Sequence, residues 1–294
     1  MAYLASPSET KVVLDMFGFS FKKKYGQNFL IDENIVRKIV RSSGVTKNDT
    51  VLEIGPGIGT MTQILSEEAG KVVAVEIDKG LMDILRFTLK DCGNVTVINN
   101  DILKCDILKL AEEYNDGKPF KVVANLPYYI TSPIIMGLLE NNATARRQGK
   151  IFLESVTIMI QKEVAQRINA QPGTKDYGAL SLAVEFYSAS SYEMTVPAAV
   201  FMPRPNVDSA VIKLDVYKDP PFKVQDEKLF FGLIKAAFAQ RRKTFVNTVS
   251  AVGGFEKEKL REALSVIGKD ENVRGETLTL GEFVEISDFL LDKM

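Results

Sequence analysis

The sequence contains no histidine and only two cysteines, Cys92 and Cys105. Without imidazole, the chain cannot form Ser-His or Cys-His nucleophile pairs, and histidine cannot be its general base. Two cysteines without histidine also cannot supply the four ligands of a structural zinc site, so we expect no metal. The chemistry of this protein must therefore use other side chains or the backbone.

Long apolar runs are missing as well. No stretch reaches the ~18 uninterrupted apolar residues of a membrane span. Residues 1–19 carry Glu9 and Asp15 and lack the apolar core of a signal peptide. We therefore expect a cytoplasmic protein with reduced thiols and no membrane partner.

Neither sign of charge dominates, because 37 Lys and Arg oppose 38 Asp and Glu. Basic residues nevertheless form two acid-free runs, at 22–24 and 235–247, and both lie beside aromatic residues. A solvated face would explain either run alone, whereas the two together favour a polyanionic partner. The basic residues concerned are Lys22, Lys23, Lys24, Lys235, Arg241, Arg242 and Lys243.

The chain of 294 residues is long enough for a large core or for two domains. From residue 50 onward, short buried strands alternate with helices, which predicts an α/β fold with a mostly parallel sheet and helices on both faces. Ligands of such sheets bind at the carboxyl ends of the strands. The predicted strands are 50–54, 71–78, 94–101, 121–125, 155–161, 191–196 and 206–217, and the predicted helices between them are 59–69, 80–92, 132–141 and 177–188.

Two prolines and three charged residues in "KDPPFK" (218–223) indicate a linker. Beyond it the pattern predicts three amphipathic helices, at 227–240, 256–268 and 280–291. Upstream, we expect a helix over 8–17, a loop over 21–32 and a helix capped by Asp32. The expected domains are an N-terminal extension (1–20), a sheet domain (21–217) and a small all-helical domain (222–294).

Three glycines, Gly55, Gly57 and Gly59, follow the first long strand. Their G-x-G-x-G spacing differs from the G-x-G-x-x-G of dinucleotide sites and is typical of nucleosyl-methionine sites. Glu76, at the end of the next strand, could accept both ribose hydroxyls, and Asp101, after the third, could accept from an adenine amine. Each feature also has a simpler explanation. The glycines could form only a tight turn, Glu76 could be a solvated strand end, and Asp101 could be a helix cap. Together they predict a Rossmann-like sheet that binds S-adenosylmethionine.

"ANLPYYITSP" (124–133) follows the fourth strand. An adenine amine is a poor nucleophile, because its lone pair is delocalised into the ring. The Asn125 side-chain oxygen and the Leu126 carbonyl could accept its two hydrogens, Pro127 would stiffen the turn, and Tyr128 would stack on the flipped base. The alternative is a turn before a helix in which the tyrosines only pack.

The sequence resembles the ribosomal RNA adenine dimethyltransferases over nearly its whole length, most of all those that act on the small subunit. The motifs that carry the resemblance are "KKKYGQNFL" (22–30), "EIGPGIGT" (53–60), "VEID" (75–78), "NND" (99–101), "NLPYYITSPI" (125–134), "MIQKEVAQR" (159–167), "VFMPRPNVDSAVIKL" (200–214) and "FAQRRKTFVN" (238–247). The resemblance implies dimethylation of two adjacent adenines in the 3′-terminal hairpin of 16S ribosomal RNA. The substrate would be an assembling small subunit, and we expect a monomeric enzyme.

The resemblance also implies roles for residues that the pattern alone does not single out. Asn28 and Leu30, with Gln27 beside them, would close over the methionine end of the cofactor. Ile77 and Ile102 would join the carboxylates and glycines of the pocket, and Phe201 would stack on the target base opposite Tyr128. The C-terminal helices would hold RNA, and the expected RNA-binding residues are Lys22, Lys23, Lys24, Arg204, Arg241, Arg242 and Lys243.

Three other functions are compatible with parts of this pattern. A relative that methylates large-subunit RNA and confers macrolide resistance shares the glycine loop and the Asn-x-Pro-aromatic turn, but "FMPRPNVDSAV" and "FAQRRKTFVN" favour the small-subunit enzyme. A DNA adenine methyltransferase usually has Pro where Leu126 stands. The third is an assembly factor that binds a ribosomal precursor and could lack catalytic activity. The presence of Glu76, Asp101, Asn125 and Tyr128 argues against a loss of catalysis.

Overall fold

The computed structural model describes residues 3–22 and 25–293. Its strands are β1 (Phe29–Leu30), β2 (Thr50–Ile54), β3 (Lys71–Glu76), β4 (Val95–Asn99), β5 (Phe120–Asn125), β6 (Leu153–Gln161), β7 (Ser188–Val196), β8 (Phe201–Met202) and β9 (Ser209–Val216). In the described part of the chain, seven of them form one sheet in the order β4-β3-β2-β5-β6-β9-β7. The short β1 and β8 pair with each other in a separate antiparallel ladder.

The helices are α1 (Pro7–Met16), α2 (Glu33–Ser42), α3 (Thr60–Glu68), α4 (Met82–Thr88), α5 (Ile107–Tyr114), α6 (Thr131–Arg147), α7 (Lys162–Ile168), α8 (Ala179–Tyr187), α9 (Glu227–Ala237), α10 (Phe245–Gly253), α11 (Lys257–Val266) and α12 (Leu280–Asp292). Short 3-10 turns lie at Lys79–Leu81, Ile102–Lys104, Ala198–Val200 and Gly275–Thr277. No helix within 3–22 and 25–293 is both long and apolar enough to cross a bilayer.

The core of the sheet is parallel, as the alternation of strands and helices predicts. β2 pairs in parallel with β3 and β5, and the parallel pairing continues to β4 on one side and β6 on the other. The central strands carry continuous apolar runs, such as "VVAV" within β3, because both their faces are covered. β9 runs antiparallel to β6. The expectation of an α/β, Rossmann-like sheet with a helical C-terminal region is confirmed.

Contacts divide the chain into two compact units. One unit runs to Ala165 and resumes over Ser191–Val216, and the other comprises Gln166–Ser190 and the chain from Tyr217 onward. The predicted helix at 177–188, observed as α8, therefore belongs to the same unit as the C-terminal helices. In that unit the Tyr177 hydroxyl donates to the Leu278 carbonyl, 3.1 Å away.

The C-terminal segment contains a helix that the sequence pattern did not predict. α10 begins after Thr244, whose side chain accepts from the Asn247 N–H, and buries Phe245 and Val249. Its apolar run "FVNTVSAV" is too short and too rich in β-branched residues to distinguish a helix from a strand by periodicity. The three predicted helices are confirmed as α9, α11 and α12.

The N-terminal segment is part of the first unit. The Ser6 side chain caps α1 by accepting from the Glu9 N–H. Leu4, Val13 and Leu14 are buried in one apolar cluster with residues from β1, the glycine turn and the α4 region, which are Phe29, Ile58, Leu81, Ile84, Leu85 and Leu89.

Candidate active site and cofactor cavity

A cavity opens at the carboxyl ends of β2, β3 and β5, where the sequence predicts the ligand. Its wall is formed by the segment 25–30, the glycine turn, the end of β3 and the turn that follows β5. It brings together the predicted site residues Gln27, Asn28, Leu30, Gly55, Gly57, Glu76, Ile77, Asn125, Leu126, Pro127 and Tyr128.

The glycine turn excludes side chains both by its backbone angles and by its close neighbours. Gly55, Gly57 and Gly59 all adopt positive φ angles, of 70°, 63° and 92°, which residues with a Cβ rarely adopt. A Cβ on Gly57 would lie 2.9 Å from the Phe29 ring, whereas one on Gly59 would meet Leu89 at 3.0 Å. The absence of a side chain at Gly57 therefore leaves room for the Phe29 ring in the cavity wall. The absence of one at Gly59 allows Leu89 to pack closely against the turn.

Glu76 lies at the end of β3 with only 5% of its surface exposed. One carboxylate oxygen accepts from the Asp78 N–H at 2.7 Å and the other from the Gly57 N–H at 3.2 Å. Burial outweighs these hydrogen bonds and raises the pKa of Glu76 to about 7. Each oxygen keeps a further lone pair, so the carboxylate can accept from ligand hydroxyls.

Asp78 connects the end of β3 to Lys22 and to the segment 25–30 of the cavity wall. Its carboxylate accepts from the Lys22 ammonium at 2.6 Å and from the Gln27 amide at 2.9 Å. Burial acts to raise the pKa of Asp78, but the hydrogen bonds from Lys22, the Gly80 N–H and Gln27 prevail and lower it. The cavity-lining segment is therefore held by a side chain two residues beyond Glu76.

The Asn125 turn is fixed on each side. The Asn125 amide nitrogen donates to the Asn28 carbonyl at 3.1 Å, and the Leu126 N–H donates to the Met159 carbonyl at 3.1 Å. The Pro127 carbonyl accepts from the Thr131 hydroxyl at the start of α6. The nitrogen of this amide is engaged by the Asn28 carbonyl, and among the described residues no donor is recorded for the Asn125 side-chain oxygen, which is the acceptor of the amide.

Four predicted site residues lie outside the lining of the cavity, namely Gly59, Asp101, Ile102 and Phe201. Asp101 caps the 3-10 turn that follows β4, accepting from the Leu103 N–H at 3.1 Å. Phe201 is only 3% exposed and packs among buried apolar residues, opposite Leu30 in the β1–β8 ladder. The adenine contact of Asp101 and the base contact of Phe201 stay predictions.

The cavity also contains residues that the sequence did not single out. They are Tyr25, Gly26, Phe29, Glu53, Pro56, Thr60, Met61, Leu81 and Tyr129. Glu53 differs from the rest, because it is fully buried and its carboxylate oxygens have no hydrogen-bond partner among the described residues. An acidic residue inside the apolar strand "TVLEI" was a signal that could have identified it.

The expected RNA-binding residues differ in their surroundings. Lys22 is paired with Asp78, and Lys23 and Lys24 lie outside the described residues. Arg204, Arg241, Arg242 and Lys243 are exposed. Among the described residues, no three His, Cys, Asp or Glu side chains form a group that could hold a metal ion.

Residues 18–291 match the sequence model of the ribosomal RNA adenine dimethylase family. The chain belongs to this family. It is therefore an S-adenosylmethionine-dependent ribosomal RNA adenine dimethyltransferase, as the strand-end residues and the Asn125 turn predict. The donor set agrees with that cofactor, because Glu76 offers lone pairs for hydroxyls and Gly57 leaves room beside Phe29.

Curated relatives are similar over the full length of the chain. The ribosomal RNA small subunit methyltransferase A of Lachnoclostridium phytofermentans is 53% identical, with 100% of both chains covered. That of Clostridioides difficile is 46% identical, with 100% of this chain and 99% of the relative covered.

Two solved structures show the same fold. One is a dimethyladenosine transferase from Plasmodium falciparum, with a TM-score of 0.69, 23% identity and 88% of this chain and 95% of that chain covered. The other is the 23S rRNA methyltransferase ErmE, with a TM-score of 0.67, 24% identity and coverages of 89% and 99%.

Proposed function

We propose that this enzyme dimethylates the N6 atoms of two adjacent adenines in the 3′-terminal hairpin of 16S ribosomal RNA, acting as a monomer on the assembling small subunit in the cytoplasm. The full-length similarity to small-subunit methyltransferases of two bacteria supports this substrate. The structural observation that carries the proposal is the Asn125 turn, whose amide nitrogen is engaged by Asn28 so that its oxygen is left to accept.

S-adenosylmethionine, when bound, supplies an electrophilic methyl group on its sulfonium. Glu76 would accept from the ribose hydroxyls, and Asn28 and Leu30 would cover the methionine end. Gln27 would act through Asp78, which positions the segment that carries these residues. Asp101, with Ile77 and Ile102, would contact the adenine ring.

One side chain and one backbone carbonyl of the turn would act on the target amine. The Asn125 side-chain oxygen and the Leu126 carbonyl would each accept one N–H of the amine, so that the nitrogen lone pair turns toward the methyl group. Tyr128, half-buried at the cavity, would stack on the extruded base. The methylated aminium is acidic and can lose its proton to water, so the absence of histidine does not prevent the reaction.

The second stacking residue requires a rearrangement of the described structure. Phe201 can meet the target base only if the β8 segment moves away from the cluster in which Phe201 is buried. Arg204, three residues later, is exposed and would contact the phosphate backbone together with Arg241, Arg242 and Lys243. Such contacts should make RNA binding strongly salt-dependent.

The test is to incubate the purified protein with tritiated S-adenosylmethionine and small subunits that lack the modification, and then to identify the labelled nucleoside. We expect dimethyladenosine at two adjacent positions of the 3′-terminal hairpin, and a loss of at least about 100-fold in rate with Asn125→Ala. Label in large-subunit RNA instead would contradict the proposed substrate. Small subunits that mature normally with Asn125→Ala would favour the assembly-factor alternative.

A further inference from the structure

The segment "MIQKEVAQR" (159–167) covers the end of β6 and most of α7, and the proposed reaction gives it no role. β6 ends at Gln161, and α7 begins at the next residue. Gln161 is half-buried, and its side-chain amide forms no hydrogen bond with another described residue. It also lies outside the lining of the cofactor cavity. The amide of Gln161 is therefore available to a ligand other than the cofactor.

The pairing of the strands places Gln161 on the same face of the sheet as Asn125. In the sheet β6 lies between β5 and β9. Asn125, the last residue of β5, is opposite Met159 of β6. Two residues further along β6, Gln161 is opposite Ser209, the first residue of β9. Because paired residues share a face and so do residues two apart, Asn125, Gln161 and Ser209 project from one face at the ends of three adjacent strands.

The segment that carries Tyr128 crosses this face. Tyr128 follows β5, and its hydroxyl oxygen lies 2.7 Å from that of Ser209 on β9. Neighbouring strands are about 4.8 Å apart, so the turn and the Tyr128 side chain together have to pass the end of β6 to reach this partner. Gln161 is the residue of β6 at that crossing, because it pairs with Ser209. Its amide therefore lies beside the ring that is expected to stack on the target base.

The target adenine has an acceptor for which the proposed reaction supplies no donor. The Asn125 oxygen and the Leu126 carbonyl would accept the two hydrogens of the N6 amine. Enzymes that extrude a base read its Watson–Crick edge, and the other polar atom of that edge in adenine is N1, which only accepts. An acceptor that is buried without a donor costs free energy. A glutamine amide carries two N–H donors and can satisfy N1.

We propose, building on the proposed roles of Asn125 and Tyr128, that Gln161 binds the target adenine by donating a hydrogen bond from its side-chain amide to N1. This bond fixes the rotation of the base in its own plane, so that N6 stays between the Asn125 oxygen and the Leu126 carbonyl. It also selects adenine over guanine, whose N1 carries a hydrogen and cannot accept. Gln161 is thus a residue that both orients and selects the target base.

Single-turnover methylation of small subunits that lack the modification, at saturating protein and S-adenosylmethionine, tests this role. Gln161→Ala should slow methyl transfer by roughly tenfold, because one hydrogen bond to the base is lost. The affinity for S-adenosylmethionine should not change, since Gln161 lies outside the cofactor cavity. Thr157→Ala is the matched control and should leave the rate unchanged. Thr157 lies on the same strand and face, is buried, and its hydroxyl has no partner among the described residues.

Gln161→Glu separates a hydrogen bond from a packing contact, because it keeps the shape of the side chain. At pH 7.5 the new carboxylate cannot donate and repels the N1 lone pair, so the rate should fall at least as far as in Gln161→Ala. As the pH falls toward the ordinary pKa of a glutamate, the fraction of the carboxyl group that can donate rises by up to about tenfold per pH unit. The rate of Gln161→Glu divided by that of Gln161→Ala should therefore rise between pH 7.5 and pH 5.5.

The base itself supplies a test from the substrate side. Small subunits reconstituted with 1-deazaadenosine at the target positions lack the N1 acceptor. On these subunits the unmodified protein and Gln161→Ala should react at equal rates, whereas on adenosine they should differ by roughly tenfold. This comparison cancels any difference in the intrinsic reactivity of the two amines.

Three results would overturn the inference. An unchanged rate in Gln161→Ala, with Asn125→Ala strongly impaired, would leave the proposed function standing and remove Gln161 from it. A Gln161→Glu variant that reacts as fast as the unmodified protein at pH 7.5 would indicate a merely structural role. An equal effect of Gln161→Ala on adenosine and on 1-deazaadenosine would exclude N1 as the partner. If Asn125→Ala is as active as the unmodified protein, the proposed function itself fails, which is a distinguishable result.

Discussion

The hydroxyl oxygens of Tyr128 and Ser209 lie 2.7 Å apart. Tyr128 belongs to the turn after β5, and Ser209, fully buried, is the first residue of β9. The neighbouring Asp208 accepts from the Ala198 N–H at 2.9 Å and so holds the segment that leads to Phe201. Two consecutive residues at the start of β9 therefore position both aromatic side chains that are expected at the target base.

Ser209→Ala should slow methyl transfer without affecting the cofactor. The Tyr128 ring would lose the contact that fixes its hydroxyl, so we expect the single-turnover rate to fall by roughly tenfold and stability by ~1 kcal/mol. The matched control is Ser155→Ala on β6, because Ser155 is also buried and its hydroxyl has no partner among the described residues. An equal fall in rate for the two variants would contradict the positioning role of Ser209.

Gly57→Ala should impair cofactor binding more than its backbone angle alone explains. A methyl group at this position would lie 2.9 Å from the Phe29 ring in the cavity wall. Gly44→Ala is the control, since Gly44 has a similar φ of 65° and a methyl group there would have no described atom within 4 Å. Both variants should lose ~1–2 kcal/mol of stability in urea unfolding, but only Gly57→Ala should weaken S-adenosylmethionine binding in calorimetry. Unchanged binding by Gly57→Ala would mean that Phe29 can move aside freely.

Asp78→Asn should weaken cofactor binding because it releases Lys22 and Gln27 from the end of β3. We expect a loss of roughly tenfold in S-adenosylmethionine affinity, about 1.4 kcal/mol. Asp49→Asn is the control. Asp49, the residue before β2, accepts from the Lys121 ammonium at 2.9 Å, and this ion pair is also partly buried. The two variants should lose similar stability, whereas Asp49→Asn should bind the cofactor normally. Equal affinities in the two variants would show that the contacts of Asp78 with Lys22 and Gln27 do not support cofactor binding.

The stability of the free protein should fall as the pH rises from about 5 to 8. Burial raises the pKa of Glu53 to about 8 and that of Glu76 to about 7, above the ordinary 4.5. Between these limits the folded state binds protons that the unfolded state has lost. Each group therefore contributes stability that is fully present below pH 4.5 and is lost as the pH approaches its folded pKa, by at most ~1.4 kcal/mol per pH unit.

Urea unfolding between pH 5.5 and 8.5 measures this dependence. Glu53→Gln should show a shallower decline than the unmodified protein, and the decline should cease above about pH 8. A level or rising stability over this range would contradict the raised pKa values of Glu53 and Glu76. Carboxylates with a lowered pKa, such as Asp78, are ionised in both the folded and the unfolded state throughout this range and contribute no slope.

Local signals in the sequence predicted much of the first unit. The strand at 50–54 is observed as β2, and Asp32 caps α2 by accepting from the Ile35 N–H at 3.1 Å. Both depend on neighbours within a few residues, as does the succession of strand and helix that produces the parallel sheet. The positions of Gly55, Glu76 and Asn125 in one cavity follow from that topology.

Contacts between distant residues could not be predicted in the same way. The Asn125–Asn28 hydrogen bond joins residues 97 positions apart, and no local pattern specifies it. The burial of Phe201 depends on its pairing with Leu30, across a ladder of two residues. The unpaired state of Glu53 depends on what α3 and β3 place around it. Each of these three features arises from tertiary packing.

The cluster around Leu4 and Phe29 has a consequence for how the chain is made. Its buried members all lie between residues 4 and 89, so the contacts among them are available before the second half of the chain exists. Domains tend to fold during synthesis from the N-terminus onward. The N-terminal helix and the inner wall of the cofactor cavity can therefore assemble while translation continues, whereas β5 and the Asn125 turn must await later residues. The part of the pocket wall formed by Phe29 and Leu81 would then be in place on the ribosome before the Asn125 turn, which completes that wall, has been synthesised.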